Sequence, residues 1–190
     1  MMALWLSGLA VMSLRLGSHT LRLQKFFCKA QRCESGPLYR SFKDDIKRCG
    51  VYANVPLIIF DEVKSPGIAG VFNPRVILPR NCVEQLSQRE LKCVLMHELV
   101  LYRRGDLFLH HSLLLVCYLQ WCNPVVWLAL RQFTKEMEKA CDLEVVDSFC
   151  SGSARDYGYT LLKRPSARQK RHFRADGRFG LYWAATIAVV

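Results

Sequence analysis

No two of the nine cysteines in this 190-residue chain stand at CxxC spacing. The closest pairs, Cys28 with Cys33 and Cys117 with Cys122, have neither the interval nor the partner pair of a zinc knuckle. An odd number of scattered thiols fits free cysteines in a reducing compartment better than a disulfide framework. Internal repeats and low-complexity segments are also missing, which excludes a repeat array. Acidic residues are in short supply, 16 against 27 Lys and Arg, leaving a net charge of +11. Uninterrupted apolar runs are short at both ends: residues 1–14 and 180–190 each fall below the roughly 20 residues of a membrane-spanning helix.

What is present argues for a folded domain with flanking segments. The chain is 51% apolar with four tryptophans, too much burial potential for a disordered segment. The positive charge is clustered, first at Arg15, Arg22, Lys25, Lys29 and Arg32, then from Lys163 to Arg178. Each cluster borders one of the short apolar runs, and positive flanks mark the cytoplasmic side of membrane segments. The expected partner is therefore a membrane, and no nucleic acid is expected. Residues 1–27 read as a partial membrane anchor with its basic flank, 165–179 as a basic linker, and 180–190 as the start of a truncated membrane segment. A signal peptide is the competing reading of the first run, but Arg15 stands where a small-residue cleavage site is wanted.

The chemistry-bearing stretch is MHELVLYRRGDL, in which His97 and Glu98 open a zinc-protease motif. In HExxH on a helix, the histidines at i and i+4 project from one face toward one metal, and the glutamate activates the bound water. Here the i+4 residue is Leu101. Ser87-Gln88-Arg89-Glu90 forms a capping box, so a helix starts near Ser87. Leu91, Val94, Leu95, Glu98 and Leu101 then recur at helical spacing. Tyr102 lies about 100° around the helix from position 101 and cannot replace the missing ligand. His110 and His111 lie more than two turns on and are read as facing apolar neighbours or an interface. Downstream, Glu138, Cys141 and Asp142 share a second amphipathic helix, where a carboxylate can serve as a third metal ligand.

The remaining elements are coarser. A helix is expected from Leu38 to Cys49 with Gly50 as its cap. Strands are expected at Val55 to Phe60 and Arg75 to Leu78, with Pro66-Gly67, Gly70 and Asn73-Pro74 as turns. No formally charged residue lies between Asp106 and Arg131. Asn123-Pro124 divides that stretch into two helices, the second opening at Pro124. Burial in the protein, a position at the membrane surface and partial entry all remain open for them. The small sheet is either an edge to which an extended substrate adds as a strand or an ordinary hairpin packing the helix.

His97-Glu98-Leu99, Arg103-Arg104-Gly105-Asp106, Trp121-Cys122-Asn123-Pro124-Val125-Val126-Trp127 and Glu138-Lys139-Ala140-Cys141-Asp142 follow one another in an order that resembles the BlaR/MecR-type membrane metallopeptidases. The likeness extends upstream through VPLIIFDEVKSPGIAGVFNPRVILP and downstream to RDYGYTLL, and covers most of residues 37–164, read as the metallopeptidase-like domain. It implies an α+β fold, a mostly helical gluzincin-like domain with a small β-sheet flanked by membrane segments. It also implies a zinc endopeptidase for regulatory proteolysis on the cytoplasmic side of the cell membrane. Its partner would be a protein substrate or a regulator such as a repressor. By that resemblance Glu98 is the catalytic base, His97 and Glu138 are zinc ligands, Asp142 orients a ligand or is simply a solvated carboxylate, and Leu101 occupies the degenerate ligand position. The RRGD that follows keeps its spacing from His97, so Leu101 is a substitution and not a shift of register. Leucine cannot bind zinc, so the expected activity is weak or absent. The alternative is a catalytically inactive membrane signalling or scaffold module, a pseudoenzyme that keeps the fold to bind a partner.

Overall fold

The computed structural model describes residues 2–149 apart from 30, 34, 62 and 64. The expected linker 165–179, the apolar run 180–190 and the RDYGYTLL segment lie outside the described residues.

The first element, α1, is a continuous helix, Met2–Lys29. The apolar run and the basic residues from Arg15 to Lys29 are thus one element, because Lys and Arg are good helix formers and charge does not end a helix; Arg32 falls in the strand that follows. No helix among the described residues is long and apolar enough to cross a membrane. A short strand β1 (Gln31–Cys33) follows, then helix α2 (Pro37–Arg48). Proline in the first turn of α2 costs no hydrogen bond, since the first N–H groups have no partner inside a helix. Gly50, at φ 68°, turns the chain out of α2 in a left-handed conformation that favours glycine.

Strands β2 (Leu57–Phe60), β3 (Gly67–Ala69) and β4 (Arg75–Pro79) complete a four-stranded sheet in the order β1-β2-β4-β3. β2 and β4 run parallel with Leu57 opposite Val76, and β3 pairs antiparallel with β4 through Ile68 opposite Val76. The expected strands are present within a residue or two. β1 and β3 are additions, and Gly67, expected in a turn, begins β3. A short helix α3 (Arg80–Gln85) leads into helix α4 (Gln88–Arg103), whose start is the capping box expected at Ser87. The Glu90 amide donates to Ser87 Oγ at 3.3 Å, and the Ser87 amide donates to Glu90 Oε2 at 2.9 Å. Gly105 at φ 74° makes the tight turn into α5 (Asp106–Leu119), and Pro124 opens the long α6 (Pro124–Phe149).

The core lies between the sheet and the helices. Phe42 of α2, Leu57 and Leu78 of the sheet, Leu95 and Leu99 of α4 and Val145 of α6 are all fully buried in one cluster. α4 packs on α2, α5, α6 and β3, so the helix carrying His97 and Glu98 is the central element. This is an α+β domain, mostly helical with a small sheet. Cys33, Cys49, Cys82, Cys93, Cys117, Cys122 and Cys141 form no disulfide with one another.

Candidate active site

His97 and Glu98 lie in the middle of α4 and are 2% and 5% exposed. Burying a histidine and a carboxylate this deeply is costly unless both are held by partners. For His97 one partner is plain: Nδ1 stands 3.0 Å from Asp142 Oδ1 on α6. A carboxylate at one ring nitrogen fixes the tautomer and directs the other nitrogen, Nε2, as the acceptor that a metal would require. Cys141, the preceding residue, donates its thiol to the His97 carbonyl oxygen at 3.5 Å and lies 3.7 Å from Nδ1. Burial pushes that thiol far above its ordinary range, and the carboxylates of Glu98, Asp142 and Glu138 push it further. Cys141 thus rests as a protonated thiol packed against His97.

One helical turn beyond His97, Leu101 lies on the same face of α4. Its side chain and that of Glu138 line one small cavity of about 20 Å³, together with Asp106, Leu107 and Met137. That volume accommodates a single water-sized atom. The residue at the expected second-ligand position and the carboxylate at the expected third-ligand position therefore meet at one point, and the wall there is leucine. A catalytic zinc needs three protein ligands and an open position. Among the described residues no group of three or more His, Cys, Asp or Glu side chains is placed to hold a metal ion. Among the described residues the donor set does not fit a complete zinc site.

The placement of α6 against α4 depends on residues to which the sequence reading assigned no role. Arg103 and Arg104, at the end of α4, both pair with Glu144 of α6, Arg104 through Nη1 at 3.2 Å. Arg104 Nε also donates to Asp106 Oδ2 at 3.0 Å, and Arg103 donates to the Cys49 carbonyl at 3.3 Å. Asp106 is buried, and burial raises its carboxyl above the usual range against the opposing pull of Arg104. The Arg-Arg-Gly-Asp segment is thus a clamp that fixes α6 relative to α4 close to Glu138 and Asp142. Its signal in the sequence is a pair of arginines on a packed helix, which calls for an acid on a neighbouring one; Glu144 of α6 supplies it.

The sequence model of the BlaR1 peptidase M56 family matches residues 1–180. The chain belongs to the M56 peptidase family. Over 168 residues it is 32% identical to the regulatory protein BlaR1 of Bacillus licheniformis, covering 88% of this chain and 28% of that relative. It is 24% identical over 101 residues to the methicillin resistance mecR1 protein of Staphylococcus aureus, covering 53% of this chain and 17% of the relative. The chain thus spans under a third of the length of these M56 relatives.

Proposed function

We propose that this chain is the peptidase domain of a membrane-associated M56 regulatory protein, facing the cytoplasm, in which the zinc site is incomplete and proteolysis impaired. The observation that carries this reading is the shared cavity of Leu101 and Glu138, with His97 one turn away and oriented by Asp142. Of the ligands a zinc peptidase requires, this chain would offer His97 and Glu138, and in a complete site the metal would supply an activated water. Glu98 would stand beside them as the general base. The chain's own residues still bury the histidine, set its tautomer and present Glu138, but they leave one ligand short. β3, at an edge of the sheet and packed beside α4, is the strand to which an extended protein substrate or a repressor segment would add.

Metal analysis of the purified protein beside Leu101→His tests this directly. Less than one zinc per chain in the unaltered protein and one per chain after Leu101→His is the expected result. Stoichiometric zinc without the substitution, with chelator-sensitive proteolysis that Glu98→Ala abolishes, would sink the impairment claim. A second reading, a non-catalytic scaffold, is favoured by the intact clamp of Arg103, Arg104 and Glu144 around a site with no complete donor set. It requires that Glu98→Ala leave partner binding and signalling unchanged.

A further inference from the structure

Away from His97 and Glu98, a second and larger cavity of about 390 Å³ opens where the end of α4 meets the loop after α2. Val51, Tyr52, Val71, Tyr102, Leu107 and Phe108 supply its apolar and aromatic walls. Gly50 and Gly105, the left-handed turns at φ 68° and 74°, line it as well, and a Cβ built at either would meet nothing within 4 Å. Arg103 fixes its shape: Nη1 donates to the Cys49 carbonyl at 3.3 Å and so ties the loop to α4. The other end of that guanidinium is held by Glu144, so Arg103 is committed to the wall. A cavity of this size lies in the range of ligand pockets and takes one aromatic side chain with room to spare. On its border Tyr52 is fully exposed and Phe108 is 59% exposed, and exposed aromatic rings are what protein interfaces are enriched in.

The cavity begins where a cationic face ends. Arg40, Lys43 and Lys47 recur at i, i+3 and i+7 along the exposed side of α2, against a single acid there, Asp44. None of the three cations forms an ion pair with a described residue, and Lys43 lies over the Tyr39 ring at 5.5 Å. Lys47, in the last turn, suits the helix dipole, whereas Arg40 closes a first turn that holds no acid and where the dipole disfavours a cation. Lys47 also adjoins the cavity, since its carbonyl accepts from the Gly50 amide at 3.0 Å. We propose that the outer face of α2 and the cavity beside Gly50 form one docking surface for an acidic segment of a partner protein, with an aromatic anchor residue in the cavity and carboxylates along Arg40, Lys43 and Lys47. Charge complementarity favours this occupant: a second copy laid face to face would set cations against cations, and a neutral apolar segment would leave them without counter-charges. Leu107 walls both this cavity and the small one shared by Leu101 and Glu138. The docking surface rests on none of the metal chemistry of the proposed function, so peptide binding and zinc content are read separately.

The experiment is a titration of the full chain, read by amide chemical shifts, with a peptide that places phenylalanine between two runs of glutamate. The amides of residues 50–53 and 102–108 are expected to shift as the peptide is added. A peptide with alanine in place of the phenylalanine is expected to bind at least roughly tenfold more weakly, and one with lysines in place of the glutamates to leave these amides unmoved. On the protein side, Lys43→Glu/Lys47→Glu and Tyr52→Ala/Phe108→Ala, all at exposed positions, are each expected to lower the affinity at least roughly tenfold. Lys135→Glu/Lys139→Glu makes the same change of charge on the exposed side of α6 and is expected to bind like the unaltered protein, within about twofold. An equal loss in that charge-matched variant would overturn the proposal by reducing the attraction to net charge. Shifts confined to residues outside the cavity, or no shift at all, would overturn it too. Shifts of the same amides that follow protein concentration without peptide would assign the face to a second copy, and shifts with phosphatidylcholine micelles but not with peptide would assign it to lipid; either result overturns it as well.

Discussion

Leu101 and Glu138 share a cavity, and Asp142 holds His97 at Nδ1 from the helix that carries Glu138. The i and i+4 relation of His97 and Leu101, and the grouping of Glu138 with Asp142, were legible in the sequence because helical periodicity fixes them. The contact of Cys141 with His97 was legible only as proximity, since no pattern within one helix says which face meets another. If Asp142 sets the His97 tautomer, its removal should weaken metal binding without emptying the site. In a Leu101→His background, Asp142→Ala is expected to lower zinc affinity by about 10 to 100-fold, measured by competition with a chelator of known affinity. Asp142→Asn should lose less than Asp142→Ala, because the amide oxygen still accepts from Nδ1. Equal affinities in all three proteins would remove Asp142 from any role at the ring.

At the scale of elements, α4 was the most readable piece, since its cap, its apolar spacing and its motif residues agree. The start of α6 at Pro124 was equally plain. β1 and β3 were not: three residues carry too little alternation to register, and Pro66-Gly67 reads locally as a turn although Gly67 pairs with Ile77. The continuity of α1 was hidden by its change of composition. Between elements, the sequence held a decisive contact it could not disclose, the pairing of Arg103 and Arg104 with Glu144. These side chains are about a quarter to a third exposed, so their attraction is partly screened, yet the two arginines share one acceptor group. Glu144→Ala is expected to lower the unfolding free energy by about 2 kcal/mol, read from urea midpoints. Glu136→Ala removes only the exposed i,i+3 pair with Lys139 and is expected to stay within about 0.5 kcal/mol. In the Leu101→His background, Glu144→Ala should also weaken zinc binding, because the clamp sets where Glu138 stands relative to His97. A stability loss with unchanged zinc affinity would leave the clamp a purely structural device.

At the scale of the whole molecule, the buried face of α5 carries an ionisable ring, His110, beside the core residue Leu107. His110 is 3% exposed, with the Thr134 hydroxyl 3.4 Å from Nδ1. Burial lowers its pKa from 6.5 to about 4, and neighbouring His111 lowers it further in the same direction. The unfolded chain therefore takes up this proton first as pH falls, while the folded chain resists it. Stability linked to His110 is fully present above about pH 6.5 and is lost progressively as the pH drops toward about 4. The gap corresponds to an effect on the order of 3 kcal/mol. Asp45 works in the opposite sense. It is 1% exposed, it pairs with Lys92 at 3.3 Å, and burial raises its carboxyl above the usual range. Its folded form accepts a proton before the unfolded form does, so it gains stability as the pH falls. The two are separated by substitution. His110→Gln keeps a hydrogen-bonding side chain that does not titrate, and it is expected to flatten the loss of stability between about pH 6.5 and 4 while changing little at pH 8. Denaturant midpoints collected across that range read the difference. An unaltered acid slope in His110→Gln would mean that the ring is already protonated inside the folded domain, and that the inward face of α5 is wetter than its burial implies.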